Sequence, residues 1–173
     1  MKDLRTFSRL GEATRKPADL HEGIETSLRL LNPRWRDRIT VHRDFGELPL
    51  VECDPGALNQ VFMNILANAC DALAGKGNVW ITTRASAADV SVVIRDDGPG
   101  IPPGVLPRIF DPFFTTKDVG QGTGLGLAIT YGIVQEHGGT ISASNAPDGG
   151  AIFEVELPVA SEGGKVTTGP ITS

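Results

Sequence analysis

Cysteine is scarce in this chain: Cys53 and Cys70 are the two among 173 residues. They form no CxxC pair and have no metal-ligand spacing, so neither a disulfide framework nor a zinc site is expected. Both are predicted to be reduced packing residues of a cytoplasmic protein. No apolar run approaches the ~20 residues of a membrane span. The charged start MKDLRTFSR is unlike a signal peptide. No membrane contact by this chain is therefore expected, which leaves open an anchor elsewhere in a longer parent. A basic excess is missing too. Sixteen Lys and Arg against 21 Asp and Glu give a net charge of -5, which argues against nucleic acid or anionic lipid as a partner. No internal repeat is visible. Glycine, by contrast, is plentiful at 21 residues. The glycines gather between 98 and 150, a local demand for backbone unobstructed by side chains.

Length allows one domain, which at this size buries roughly 70% of its unfolded surface. Residues 1–16 read as helical until Pro17 ends or redirects them. Leu20, Ile24, Leu28 and Leu31 share one face of a predicted helix over 18–31. RITVHRDFG alternates like a strand. Asp54-Pro55 reads as a helix start, a capping carboxylate before proline, and that helix runs to about Ala74. VWITTRAS and DVSVVIRDD read as two strands joined near Ala87. The stretch 102–123 lacks periodicity and reads as a long loop, usually functional in a compact domain. A helix from about Leu125 to His137 stops at Gly138-Gly139, and TISASN with AIFEVELPV forms a last hairpin around APDGG. The tail after Pro158 is rich in Gly, Ser and Thr and predicted disordered. The expected fold class is α/β, a two-layer sandwich of a mixed β-sheet with helices on one face.

Four segments follow in order: NILANACDAL at 64–73, DDGPGI at 96–101, FDPFFTTK at 110–117 and GQGTGLGL at 120–127. On the 54–74 helix, Gln60, Asn64, Asn68 and Asp71 fall within ~80° of one another at 100° per residue. A solvated stripe normally uses Glu, Lys or Arg, which form helices better than Asn. Amide oxygens instead suit a hard cation such as Mg²⁺, which keeps waters and binds substrate phosphates. Turn formation alone would explain Asp-Gly-Pro-Gly after a strand. A buried carboxylate at that strand end, however, can accept from an exocyclic amine, which adenine has where guanine has a carbonyl. Phe110, Phe113 and Phe114 stand beside a polar triplet and could be simple core. The glycine string opens a helix whose N-terminal amides favour phosphate. It lacks the Gly-Lys-Ser/Thr of a Walker loop, and no strand immediately precedes it as a Rossmann fingerprint requires.

Together, over roughly residues 20–158, these boxes resemble the ATP-binding catalytic domain of sensor histidine kinases in the GHKL (Bergerat) superfamily. The FFTTK and NACDA spellings resemble its nitrogen-regulation-like subgroup. The resemblance implies that Asn68 ligates Mg²⁺ and Asn64 supports the phosphate–metal cluster. Asp71 matches an Asp with a water-mediated role in the wider superfamily. Asp96 is implied to read adenine, with Gly98 and Gly100 giving the base room and Ile101 packing on it. Asp97 is assigned no base contact. The phenylalanines would anchor a mobile lid, with Thr116 and Lys117 reaching the nucleotide, Lys117 as a point charge on phosphate. Gly122, Thr123, Gly124, Leu125 and Gly126 would surround the phosphates. The ATP-hydrolysing relatives (DNA gyrase, mismatch-repair ATPases, a heat-shock chaperone) carry Glu where Asn64 stands. An amide cannot take a proton from water near neutral pH, so phosphoryl transfer is favoured over hydrolysis.

The family phosphorylates a histidine on a helical dimerisation domain. His21 opens a helix close to the catalytic domain, and His42 lies in a strand. His137 ends a helix, where a cation is favoured. None is placed as the acceptor. Residues 1–19 instead resemble the end of the dimerisation domain and its linker, followed by the catalytic domain at 20–158 and a tail at 159–173. The expected partners are a histidine-bearing dimerisation domain and, indirectly, a response regulator, with the chain itself a monomer or weak dimer. The alternative is a GHKL-type ATPase or nucleotide-dependent switch.

Overall fold

The computed structural model describes residues 15–74, 76–112 and 126–159. Its elements are β1 (Lys16–Ala18), α1 (Leu20–Trp35), β2 (Ile39–Phe45), β3 (Val51–Cys53), α2 (Pro55–Leu73), β4 (Gly77–Ala85) and β5 (Asp89–Asp96). After a short 3-10 turn at Leu106–Arg108 come α3 (Gly126–Glu136), β6 (Thr140–Asn145) and β7 (Ala151–Pro158). Five strands form one sheet in the order β2-β4-β5-β7-β6. β2 pairs parallel with β4, and the other neighbours are antiparallel. The sheet is therefore mixed.

Period-2 alternation decides which face is core. Val79 and Ile81 on β4, Val90, Val92 and Ile94 on β5, and Phe153, Val155 and Leu157 on β7 are all buried. Ile81 stands opposite Ile94, and Ile94 opposite Phe153, so a continuous apolar row crosses the sheet. Leu20, Ile24, Leu28 and Leu31 of α1, with Phe62, Ile65 and Leu66 of α2, join the same cluster. Full burial of a side chain such as Phe62 contributes roughly 1.5–3 kcal/mol. Asp54 caps α2 by accepting from the backbone N–H of Gly56 and Ala57 at 3.2 and 3.3 Å. Such a cap stabilises by about 1 kcal/mol. Cys53 and Cys70 are free and buried. Burial, reinforced by the Asp54 carboxylate, pushes the Cys53 thiol up to about 11, so it serves as a packing group.

Two local expectations are corrected. Lys16, expected to end a helix, instead opens a strand, Lys16–Ala18, paired antiparallel with Val51–Cys53. Pro17 has no N–H, and a two-stranded pairing tolerates that loss. The rest of the expected N-terminal helix, residues 1–14, lies outside the described residues. In addition, α1 continues past Leu31 to Trp35, with Pro33 inside its last turn and Trp35 buried.

Candidate functional site

β5 delivers the central carboxylate. Val90, Val92, Ile94 and Asp96 are buried in alternation, so the same period that fills the core turns Asp96 toward the helices. Asp96 is 3% exposed. Its Oδ1 accepts from the backbone N–H of Gly98 at 2.9 Å and of Ala151 at 3.4 Å. Burial raises its carboxyl above the ordinary range despite those two donors. Asp97, one residue on, exits on the other face. It accepts from the N–H and the side-chain amide of Asn78 at 2.9 and 3.0 Å. Those bonds hold its pKa below the usual value. The two aspartates are thus separated into a buried group with a raised pKa and an exposed one with a lowered pKa.

The turn after Asp96 is held by the β6–β7 hairpin. Gly100 has φ +84, and a Cβ there would come within 3.0 Å of Asn145 Oδ1. Ile101 donates its N–H to Asn145 Oδ1 and accepts from Asn145 Nδ2 at Ile101 O, both at 2.7 Å. Gly150, at φ +93, packs directly on the Asp96 carbonyl, where a Cβ has no room. Sequence reading missed Asn145, Gly150 and Ala151 because each looked like ordinary hairpin punctuation.

On α2, Asn64 and Asn68 are half-buried one turn apart. Asn64 Nδ2 donates to Gly126 O at 3.0 Å and to Thr130 Oγ1 at 3.1 Å, and Asn64 Oδ1 accepts from Gln60. Asn64 therefore ties α2 to the first turn of α3. Asn68 makes no side-chain hydrogen bond among the described residues, so its amide oxygen has capacity for a hard cation. Among the described residues no three His, Cys, Asp or Glu side chains cluster to hold a metal. Asp71 belongs to the same helical stripe but pairs with Arg34 of α1. The expected polar face thus divides: Gln60 bonds to Asn64, which reaches α3, Asn68 makes no side-chain bond among the described residues, and Asp71 is joined to α1.

The far end of α3 is tied as well. His137 Nε2 accepts from the Asp54 backbone N–H at 3.1 Å, so Nδ1 carries the proton and donates to Ile133 O at 2.9 Å. Burial lowers the His137 pKa, and Arg15 adds to the effect against the opposing influence of Asp54 and Glu136. The expectation of a cation at this helix end is corrected: a ring that accepts from a backbone N–H must be neutral at that nitrogen. Arg15 takes the cationic place, donating from Nη2 to Glu136 O at 2.7 Å.

Of the remaining expected site residues, Gly98, Gly100, Ile101 and Gly126 gather around these elements. Phe110 packs near Tyr131 and Phe153, with ring centroids 5.6 and 6.3 Å away. Phe113, Phe114, Thr116, Lys117, Gly122, Thr123, Gly124 and Leu125 lie outside the described residues.

Residues 53–161 match the family described as "Histidine kinase-, DNA gyrase B-, and HSP90-like ATPase". Sensor histidine kinase ZraS of Escherichia coli (strain K12) is 42% identical over 143 residues, 82% of this chain and 30% of ZraS. Sporulation kinase E of Bacillus subtilis (strain 168) is 40% identical over 114 residues, 65% of this chain and 15% of that kinase. The chain thus spans less than a third of either curated relative. Among solved structures, the catalytic domain of histidine kinase ThkA superposes with a TM-score of 0.76 at 33% identity, covering 84% of this chain and 98% of that one. The same kinase solved with response regulator TrrA aligns at a TM-score of 0.73 and 32% identity, over 84% of this chain and 42% of that one.

Proposed function

The chain belongs to the histidine kinase-, DNA gyrase B- and HSP90-like ATPase family, and on that premise we propose how its site works as the catalytic ATP-binding module of a sensor histidine kinase. The module holds Mg-ATP so that the γ-phosphoryl passes to a histidine on a separate helical dimerisation domain. The observation that carries this reading is the pairing of a buried carboxylate, Asp96, with the amide face of Asn64 and Asn68. Asp96 recognises the adenine amine, and Gly98, Gly100 and Ile101 frame the base. Asn68 holds Mg²⁺, whose charge offsets that of the phosphates, while Gly126 at the head of α3 faces the phosphate end. Thr116, Lys117, Gly122, Thr123, Gly124 and Leu125 complete the nucleotide contacts. Neutral imidazole is already nucleophilic, so the module contributes orientation and charge stabilisation more than bond chemistry.

Two features favour transfer over hydrolysis. Asn64 is not a base, and its amide is engaged with Gly126, Thr130 and Gln60. All three histidines are occupied within the fold: His21 with Thr83 and stacked on Phe45, His42 with Asn78, and His137 with Asp54. The acceptor imidazole therefore comes from outside this domain. The partners are that dimerisation domain and, through it, a response regulator, the class of partner bound in the ThkA–TrrA complex. The FFTTK and NACDA spellings support a place in the nitrogen-regulation-like subgroup. We assign the module to the cytoplasm, where ATP is abundant; among the described residues no helix is long and apolar enough to cross a membrane.

The test is incubation with γ-labelled ATP, alone and with the dimerisation domain of the parent kinase. Acid-labile label is expected on the added domain only. Strong acid-labile labelling of this chain alone would overturn the assignment of an external acceptor.

A further inference from the structure

We infer that Asn145 is a positioning residue for the base end of the nucleotide site, acting through Ile101, and that it sets discrimination between adenine and guanine. The inference rests on the ATP-site reading above and adds a residue that the four sequence boxes do not contain.

The geometry is specific. Asn145 presents both halves of its amide to one residue, accepting from Ile101 N–H and donating to Ile101 O at 2.7 Å each. This imitates a strand pairing across a segment that has no strand. It closes the turn running from Asp96 to Ile101, whose conformation is otherwise set by Gly100 at φ +84. Asn145 also occupies the last rung of the β6–β7 ladder, opposite Ala151. Ala151 N–H is one of the two donors to Asp96 Oδ1, and Gly150 packs on the Asp96 carbonyl. One hairpin end therefore holds both groups, Asp96 through Ala151 and Ile101 through Asn145. Arg95 keeps that hairpin against β5 through Asp148 at 2.7 Å. The Asn145 amide thereby sets where the Ile101 backbone stands relative to the hairpin end that also donates to Asp96.

Asn145 is itself exposed, so truncating it removes no core contact. Asn145→Ala loses both bonds. Asn145→Asp keeps the shape and the acceptor for Ile101 N–H but turns an oxygen toward Ile101 O. Each is expected to weaken Mg-ATP about 10-fold, the effect of losing bonds of ordinary strength. Mg-GTP affinity should fall less, because guanine gains little from Asp96, and the thermal midpoint of the nucleotide-free chain should drop only modestly, as for the loss of two ordinary hydrogen bonds. The ATP-to-GTP ratio is the readout that a merely structural role would not move. Calorimetry on wild type, both Asn145 variants and Asp96→Asn gives the separation. Equal losses for the two nucleotides, or wild-type ATP affinity in both Asn145 variants while Asp96→Asn weakens it, would overturn the positioning role alone. Unchanged ATP affinity in Asp96→Asn would overturn the base-site reading and this inference with it.

Discussion

Replacing Asp96 by Asn should move stability and nucleotide affinity in opposite directions. In the wild type Asp96 is 3% exposed, and burial is the largest influence on its pKa, which stands above the ordinary aspartate value of 3.8. Because the folded pKa exceeds the unfolded one, the folded state binds more protons between the two values. Ionising the buried group therefore costs stability, beginning near pH 3.8 and reaching its full extent above the folded pKa. Asn carries no such cost and can still accept from Gly98 and Ala151 through its amide oxygen. The variant should be at least as stable as wild type at pH 7, with the difference vanishing below pH 3.8. Binding goes the other way. In the proposed adenine contact, an N–H donor would then stand where a carboxylate oxygen accepts from the adenine amine, setting donor against donor. Loss of a hydrogen bond to a charged acceptor costs roughly 1.5–3 kcal/mol, about 10- to 150-fold in affinity. Urea denaturation at pH 7 and calorimetric ATP titration read the two quantities independently. A variant that is less stable than wild type yet binds ATP as well would refute both the desolvation argument and the contact.

His137 supplies a pH dependence of the opposite kind. Its folded pKa lies below 6.5, so its contribution is complete above about pH 6.5 and is lost as pH falls through the lower folded value. Wild type should lose stability on acidification over that window, and His137→Gln should show a flatter profile by chemical denaturation; parallel profiles would contradict the assigned tautomer. Gly150→Ala should destabilise by about 1–3 kcal/mol through left-handed strain, before its contact with the Asp96 carbonyl is added. Gly104→Ala, where a Cβ meets nothing within 4 Å, is the control and should be close to neutral. Equal midpoints for these two variants would show that the turn yields freely.

What could be read in the sequence was whatever a local pattern dictates. Leu20, Ile24, Leu28 and Leu31 announce a helix face, Asp54-Pro55 announces a helix start, and alternation in DVSVVIRD carries Asp96 inward by parity alone. The paired three-residue strands Lys16–Ala18 and Val51–Cys53 were illegible, because neither is long enough to show a period and their register joins distant segments. The site followed the same division. Asp96, Asn64 and Asn68 sit in boxes whose residue types are unusual for their element. Asn145 ends a strand, where Asn is ordinary, and its partner is 44 positions away. His137 was misjudged because the helix terminus favours a cation, whereas the Asp54 N–H, visible only once the chain is folded, requires a lone pair.

The two ties on α3 also set how that helix can move. α2 and α3 run antiparallel, and α3 is tied at both of its ends, Gly126 and Thr130 to Asn64 midway along α2, and His137 to Asp54 at the α2 cap. The pair is a closed frame in which sliding would strain both joints at once, so rotation about one joint is the cheaper displacement. The His137 end is braced additionally by Arg15 on the Glu136 carbonyl. With 11 residues, α3 is a lever about 16 Å long. A pivot of about 10° at its braced end would carry Gly126 roughly 3 Å, on the scale of a hydrogen bond made or lost. The fulcrum includes Arg15, directly before β1, so a pull on the chain at that point would be amplified at the opposite tip.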